Sequence, residues 1–462
     1  MRSEALRAAI LAGGRHEWGA AWKFANAALN EDSDSIEALY LAGRALRDFG
    51  HIGLSLHLFR RALALDNTKP AIWMHFASSF HDLHDWDSAR EAYLVVHKAM
   101  PQDAQPIANI AAGYVQQGRP REALEWAEKA LALDPENRIA RVAYSFATLG
   151  LGRWADGWKY VDEVYGTQVP WRTYCLPEEP MWDGAKGQTV VVQCDQGLGD
   201  QIMFAQCLPA LIADSKQVIV ECSPRMAGLL GRNFPQAVIK PTLKQPKLEW
   251  PKDYPIDAHV HVSLLGRWYR AKNSDFPRQA YIVPDEARVT KWREWLAQHK
   301  KPWVGIAWRG GIQATMTHLR SLELQELAPV IEQGGTIIDM SYQNTNDEVA
   351  RWNIDHKQQI IRPPIDITDY DDTVALLVAL DDVVTVTTTL AHVCGALGRH
   401  AYVLVPQGPQ WRYQYPCNDG LWWYPENSVE LFRQTKGETG WEHVVKRVAK
   451  ARERIKKLRR AA

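Results

Sequence analysis

Over the first 165 residues apolar positions recur at helical spacing, and the helical pattern itself repeats. Gly50, Gly118 and Gly152 are separated by multiples of 34 residues, and His16 and His84 fill the remaining steps. Tryptophan stands two residues after three of these turns, at Trp18, Trp86 and Trp154. A small residue stands five after each of them: Ala21, Ser55, Ala89, Ala123 and Gly157. One unit reads Trp73, Ala77, Phe80, Ala89, Tyr93, Pro101, and the next Ile107, Ala111, Tyr114, Ala123, Pro135. The small residues predict antiparallel helices in close contact, where a larger side chain would force the axes apart. From "MWDGAKGQ" (181–188) onward the period disappears. "TVVVQ" (189–193), "QVIVEC" (217–222) and "AVIK" (237–240) predict one set of strands; "WVGIAW" (303–308), "TIIDMS" (336–341), "DVVTV" (382–386) and "AYVLV" (401–405) predict a second. Helix-like stretches lie between them, so each set implies a parallel sheet covered on both faces. "PDEARVTKWREWLAQHKK" (284–301) predicts an amphipathic helix joining the two lobes. The expected layout is an α-solenoid (1–165), two Rossmann-like α/β lobes (166–285 and 286–440) and a basic C-terminal helix (441–462).

The 34-residue unit resembles the tetratricopeptide repeat, a helix–turn–helix that buries its apolar face only by stacking on its neighbours. The resemblance covers about the first third of the chain, with four units and a partial fifth. It implies a surface for a protein or peptide partner, or else a rigid spacer. Most of the 20 tryptophans are then expected to serve packing.

Composition narrows the classes. A chain of 462 residues suggests two to four domains. Its 54 basic and 54 acidic residues cancel, which gives no electrostatic footprint for nucleic acid. The six cysteines form no C-x-x-C pair, so reduced thiols and no zinc ribbon are expected. The opening "MRSEALRAAILAGGRHEW" is too short and too broken for a signal peptide, and no run reaches 18 apolar residues. A cytoplasmic location is the expectation.

Candidate chemistry lies at two strand ends. "CDQGLGDQIMFAQ" (194–206) places Gly197, Gly199 and Asp200 after the first strand. Glycines there permit positive φ and close approach of backbone N–H groups to a ligand. A third glycine for a dinucleotide fingerprint is missing at Ile202, and no G-K-[ST] makes it a P-loop. Asp200 reads either as a helix N-cap or as a carboxylate poised to accept a proton. In the other lobe "TTTLAHVCGALG" (387–398) sets three hydroxyl residues before a helix, a ready anion site, with His392 one turn in.

Taken in order, "PMWDGAKGQTVVVQCDQGLGDQIMFAQ", the stretch from "DITDYDDTVALLVALDD" through "TTTLAHVCGALGRHAYVLVPQGPQWRYQY", "WWYP" and "LFRQ" resemble bacterial tetratricopeptide-repeat glycosyltransferases. The same outline is similar to the heptosyltransferases of lipopolysaccharide synthesis. The resemblance implies a two-lobed GT-B fold and transfer of a sugar from a nucleotide-sugar donor to an acceptor hydroxyl, inverting and independent of metal, with no further cofactor. It implies Asp200 as base. Gly197, Gly199, Arg309, Arg320, Thr387, Thr388, Thr389 and His392 are then candidates for the donor side, with Arg320 or Arg309 meeting the leaving phosphate. Two departures stand out. Thr387 occupies a position where the family commonly has Asp, and Gln201-Ile202-Met203-Phe204 replaces the usual Thr-Ile-Gln-Phe. The rival class is a repeat-based interaction protein with an inactive glycosyltransferase-like region.

Two further stretches have plainer readings. Asp369-Tyr370-Asp371 is a D-x-D, but it precedes an amphipathic helix for which Asp371 or Asp372 is the expected N-cap. The tail has nine basic residues between Lys446 and Arg460 against one acidic residue, with Val445, Val448, Ile455 and Leu458 as a thin apolar stripe. It is expected to cross back to the first lobe, with contact to a membrane surface as the second reading.

Overall fold

The computed structural model describes residues 3–162, 179–194, 197–242, 250–311, 317–414, 420–435, 437–438 and 440–461. Residues 195–196 of the Gly-rich turn and residues 415–419 of the closing motif lie outside them. The chain divides into two compact units, Met1–Leu151 and Gly152–Ala462.

The first unit contains nine helices among its described residues: α1 (Glu4–Gly14), α2 (Trp18–Glu31), α3 (Ile36–Asp48), α4 (Ile52–Leu65), α5 (Pro70–Asp82), α6 (Trp86–Ala99), α7 (Gln105–Gln116), α8 (Pro120–Leu133) and α9 (Arg138–Gly150). The predicted period is written into the backbone. His16, Gly50, His84, Gly118 and Gly152 all adopt positive φ, between 60° and 80°. Four of these turns close the same way, with the next N–H bonding five residues back: Glu17 to Ala12, His51 to Leu46, Asp85 to Phe80 and Arg119 to Tyr114. This is the Schellman closure, which satisfies carbonyls that the helix end would leave orphaned. Histidine pays a steric penalty in this conformation that glycine does not, and both histidines gain an aromatic contact. His16 meets Trp18 at 5.6 Å and His84 meets Trp86 at 5.1 Å between ring centroids. The opposite turns also recur, since Asp32, Asp66 and Asp134 each accept the N–H two residues on.

Ala21, Ser55, Ala89 and Ala123 are all buried. Ala123 lies in one core with Ala77, Tyr93, Ile107, Ala108 and Tyr114.

The second unit holds two sheets whose pairings are all parallel. The first has the order β3-β2-β1-β4, built from β1 (Thr189–Gln193), β2 (Gln217–Cys222), β3 (Val238–Pro241) and β4 (Ala258–His261). The second has the order β10-β9-β8-β5-β6-β7, from β5 (Trp303–Ala307), β6 (Thr336–Asp339), β7 (Ile360–Ile361), β8 (Asp382–Val386), β9 (Ala401–Val405) and β10 (Val429–Arg433). β1, β5, β8 and β9 are buried along their whole length, as strands covered on both faces must be. Five further helices matter here: α10 (Leu198–Ala205), α11 (Glu286–Leu296), α12 (Tyr370–Ala379), α13 (Thr389–Ala396) and α14 (Glu442–Ala461). In each sheet the strand order reverses beside the first strand, at β1/β4 and at β5/β8, and such switch points are where open α/β sheets bind ligands.

Two expectations are corrected. The tail helix α14 packs on the second sheet. Val444, Val445, Val448 and Ala449 join a core with Trp308, Tyr402 and Phe432, and Ile455 packs against it. Arg452 is buried and donates to Val330 O (3.0 Å) and Gln333 (2.7 Å), with Asp382 at 3.3 Å. The stripe is therefore consumed by the core except at Leu458, which is exposed. In the D-x-D stretch the cap is Asp369, which accepts from Asp371 N. Asp371 instead pairs with Arg232, and Asp372 accepts from Trp292 Nε1.

The small-residue rule gives a direct test. Replacing Ala123 by Leu adds three carbons where α7 and α8 meet and is expected to destabilise the unit by about 1–3 kcal/mol. Urea unfolding checks it, and unchanged stability would show that helix approach is not set at this position.

Candidate functional site

α10 and α13 each start at the carboxyl end of a strand beside a switch point, and the two starts meet. A Cβ added at Gly199 would lie 3.0 Å from His392 Cδ2 and 3.4 Å from both Cα and Oγ1 of Thr389. Gly199 therefore suits the close contact between the helices, where a Cβ would crowd the His392 ring. The positive φ that glycine permits is not used here, since neither glycine is in that region, and Gly197 has φ −57° and ψ 151°. A Cβ on Gly197 would meet nothing nearer than Asp200 Oδ2 at 3.7 Å.

Gly197 also holds the N-cap position, which places Asp200 in the first turn of α10 and removes the reading of Asp200 as the cap. Its carboxylate forms an ion pair with Arg412, 2.6 Å between Nη2 and Oδ1, with the two side chains only 18% and 10% exposed. The approach is short but lacks the alignment of a hydrogen bond, and among the described residues Oδ1 has no hydrogen-bond partner. Arg412 was not singled out from the sequence. The sole signal was its place in "PQWRYQY", a stretch noted for its likeness and not for its charge.

The three threonines divide their work. Thr388 is the N-cap of α13; its hydroxyl accepts from Leu390 N at 3.2 Å and meets Thr385 Oγ1 at 2.9 Å. Thr387 is buried and accepts from Arg320, whose Nε lies 3.2 Å from Thr387 Oγ1 and whose Nη2 reaches its carbonyl. Thr389 opens the helix and faces the cavity described below. Burial, reinforced by the neighbouring Arg412, lowers the Arg320 guanidinium from its ordinary value, while Asp200 and Tyr413 act in the other direction. Arg320 thus lies within electrostatic reach of the Asp200–Arg412 pair, and the three make a loose charge cluster. Arg309 is directed elsewhere. Its guanidinium is held by Glu348 at 2.9 Å and Glu323 at 3.3 Å.

His392 is 3% exposed, and both ring nitrogens are engaged: Nδ1 with Tyr424 Oη at 2.7 Å, Nε2 with Tyr413 Oη at 3.0 Å. Burial, then Arg412 and Arg320, push its pKa well below the usual value, so the ring is neutral at pH 7. Burial also pushes Tyr413 up to about 12. With both nitrogens engaged by tyrosine hydroxyls, the ring offers neither of them to a phosphate in this arrangement. It joins α13 to Tyr413, the residue after Arg412. Tyr281 adds a second tie, donating to Ile202 O of α10 at 2.6 Å.

Beside this cluster lies a cavity of about 680 Å³, lined by Leu198, Arg225, Tyr342, Arg362, Thr388 and Thr389 among others. Ala307, Asp339 and Met340 also line it, which sets it at the carboxyl ends of β5 to β8. Its size suits a ligand of several hundred daltons. Among the described residues no group of three or more His, Cys, Asp or Glu is placed to hold a metal ion, and no helix is long and apolar enough to cross a membrane.

Two predictions follow the geometry. Gly199→Ala is expected to cost about 1–3 kcal/mol through overpacking against His392, and Gly197→Ala to stay within about 0.5 kcal/mol. Equal effects in urea unfolding would contradict the assigned contact. His392 has a depressed folded pKa, so the unfolded chain takes up the extra proton as pH falls below about 6.5. Stability is lost in that direction, by at most about 1.4 kcal/mol per pH unit from this group. His392→Gln is expected to show a shallower loss of stability between pH 7.5 and 5.5, and an unchanged slope would mean the ring is not buried neutral.

Comparison with known proteins bears on both units. Residues 104–137 match the tetratricopeptide repeat family model. Protein FlbA of Caulobacter vibrioides is 24% identical over 461 residues, covering 90% of this chain and 73% of that protein. Among solved structures, MamA protein is 18% identical and covers 34% of this chain and 87% of its own, at a TM-score of 0.31. PilF of Pseudomonas aeruginosa is 17% identical and covers 36% and 77%, at 0.33. The family match falls on α7 and α8, whose turn has the left-handed geometry that recurs at 34 residues through the unit. The N-terminal unit is thus an array of tetratricopeptide repeats, followed by an α/β unit with two parallel sheets.

Proposed function

We propose that the second unit is a GT-B glycosyltransferase that moves a sugar from a nucleotide-sugar to an acceptor hydroxyl. The observation that carries this reading is the junction of α10 and α13: Leu198, Thr388 and Thr389 there line a 680 Å³ cavity at a strand switch point, the Asp200–Arg412 pair follows in the first turn of α10, and Arg320 is bonded to Thr387. Asp200 takes the proton of the acceptor hydroxyl as that oxygen attacks the anomeric carbon. The bond from that carbon to the diphosphate oxygen breaks, and the leaving diphosphate gathers negative charge. Arg320 and the N-terminus of α13 are placed to offset that charge. A single carboxylate on the acceptor side fits one displacement with inversion, since a double displacement needs a nucleophile on the opposite face. The repeats support a protein acceptor, because holding a polypeptide near the site raises its effective concentration without touching the chemistry.

The second reading is an interaction protein whose glycosyltransferase-like unit is silent. It is favoured by the ion pair of Asp200, which leaves the base occupied by Arg412.

A thermal-shift panel of nucleotide-sugars and nucleotides separates the two. At least one nucleotide-sugar is expected to raise the melting temperature, and silence across the panel favours the interaction protein. With the donor found, Asp200→Asn is expected to bind it at least as tightly as the wild type and to lose transfer by about a hundredfold or more. Equal loss of binding and rate would assign Asp200 a structural role. To test acceptor capture, the shortened chain should begin at Gly152, because Trp154 and Trp158 pack into the second unit. Trp158 Nε1 donates to Arg270 O at 2.8 Å and Trp154 Nε1 to Asn273 at 2.7 Å. Full transfer by that chain to the natural acceptor would assign the repeats a role other than acceptor capture.

A further inference from the structure

Arg412 touches Asp200, the proposed base, and lies within electrostatic range of Arg320, yet the transfer reaction gives it no part. Its side chain is nine-tenths buried, with Nη2 2.6 Å from Asp200 Oδ1. Asp200 belongs to the first turn of α10, and that turn lies against the first turn of α13 so closely that a Cβ on Gly199 would come within 3.4 Å of Thr389. Arg320 is fixed to Thr387, directly before that same turn. An anion at the start of α13 would therefore stand beside Arg320 and close to the Asp200–Arg412 pair. Two arginines to one carboxylate is an excess of positive charge in a poorly solvated place, and burial already disfavours the charged form of Arg320. A guanidinium presents a fork of donors that suits phosphate oxygens as well as carboxylate oxygens.

We infer that Arg412 is a diphosphate ligand that exchanges partners: it holds Asp200 while the donor site is empty, and turns to the donor's diphosphate when that site fills. The inference rests on the glycosyltransferase reading for the identity of the donor, though not for the anion site itself. Asp200 and the diphosphate compete for one guanidinium. Donor binding then releases the carboxylate that must accept the acceptor's proton, and the base is free only when there is a sugar to transfer. No bond is made or broken in the exchange. The ion pair opens and a guanidinium–phosphate pair forms.

Competition has a signature that ordinary site damage lacks, because the two substitutions act in opposite directions. Isothermal titration of the full-length chain with inorganic pyrophosphate reads it without needing the natural sugar. Arg412→Gln is expected to weaken pyrophosphate binding about tenfold, the worth of one charge-assisted hydrogen bond. Asp200→Asn is expected to tighten it several-fold, since Arg412 no longer has to leave a carboxylate. In the Arg412→Gln background, Asp200→Asn is expected to add little. Circular dichroism and melting temperature confirm that each variant is folded.

Three results would overturn the inference. Pyrophosphate could fail to bind both the wild type and the Asp200→Asn variant. Asp200→Asn could leave affinity unchanged or lower it. It could also tighten binding equally in the Arg412→Gln background, which would mean that removing a nearby negative charge accounts for the gain. The outcomes separate this proposal from the parent reading. Opposed effects on pyrophosphate without any nucleotide-sugar transfer keep the exchange and sink the glycosyltransferase. Transfer without the opposed effects does the reverse.

Discussion

Two helix starts, each from a different parallel sheet, touch at Gly199, and that contact sets the rest of the site. His392 Cδ2 and the Thr389 backbone stand where a side chain on residue 199 would have to go. The approach brings Asp200 of one sheet's switch point to the hydroxyl turn of the other's. A Cβ at 199 would press His392 Cδ2 at 3.0 Å, so the ring would have to give by a few tenths of an ångström, and a larger side chain would press further. Interiors packed to solid density transmit such a displacement more readily than they absorb it.

His392 converts that contact into a position for Arg412. Its two nitrogens hold Tyr413 and Tyr424, and Tyr413 follows Arg412 in the chain. Tyr424 is seated over Gly395 so closely that a Cβ there would fall 2.3 Å from the ring. α13 therefore carries two tyrosines along one side and offers its N-terminus at the end. The cost of this arrangement is electrostatic. Buried guanidinium groups must find hydrogen-bond acceptors or counter-ions. Thr387 supplies the first for Arg320, and Asp200 the second for Arg412. Anion binding next to Arg320 would relieve what burial leaves unpaid.

How much of this was legible follows from which interactions are local in sequence. The repeat was, because its left-handed turns, small contact residues and tryptophans recur at a fixed interval in the chain itself. The β-branched runs found seven strands. β4, "AHVH" (258–261), and β10, "VELFR" (429–433), escaped because a histidine or a glutamate interrupts each apolar run, although β4 is buried throughout. β7 has only two residues. The position of Asp200 after a glycine-rich strand end could be read, but the purpose of Gly199 could not. It answers to a residue nearly two hundred positions away, and no local dihedral rule supplies that. The same holds for Arg412 opposite Asp200 and for Arg309, whose partners Glu323 and Glu348 come from other elements. His392 was found as a site residue, while its engagement by two tyrosines needed the fold.

The central claim is that the start of α13, Arg320 and the neighbouring cavity form the donor site of a glycosyl transfer. A crystal structure of the full-length chain with the nucleoside diphosphate of its best-binding nucleotide-sugar tests this most directly. The account predicts the diphosphate against the N–H groups of Thr389 and Leu390 and the Arg320 guanidinium, with the nucleoside in the cavity bordered by Tyr342 and Arg362. A nucleotide bound elsewhere, with Thr388, Thr389 and Arg320 untouched, would contradict it.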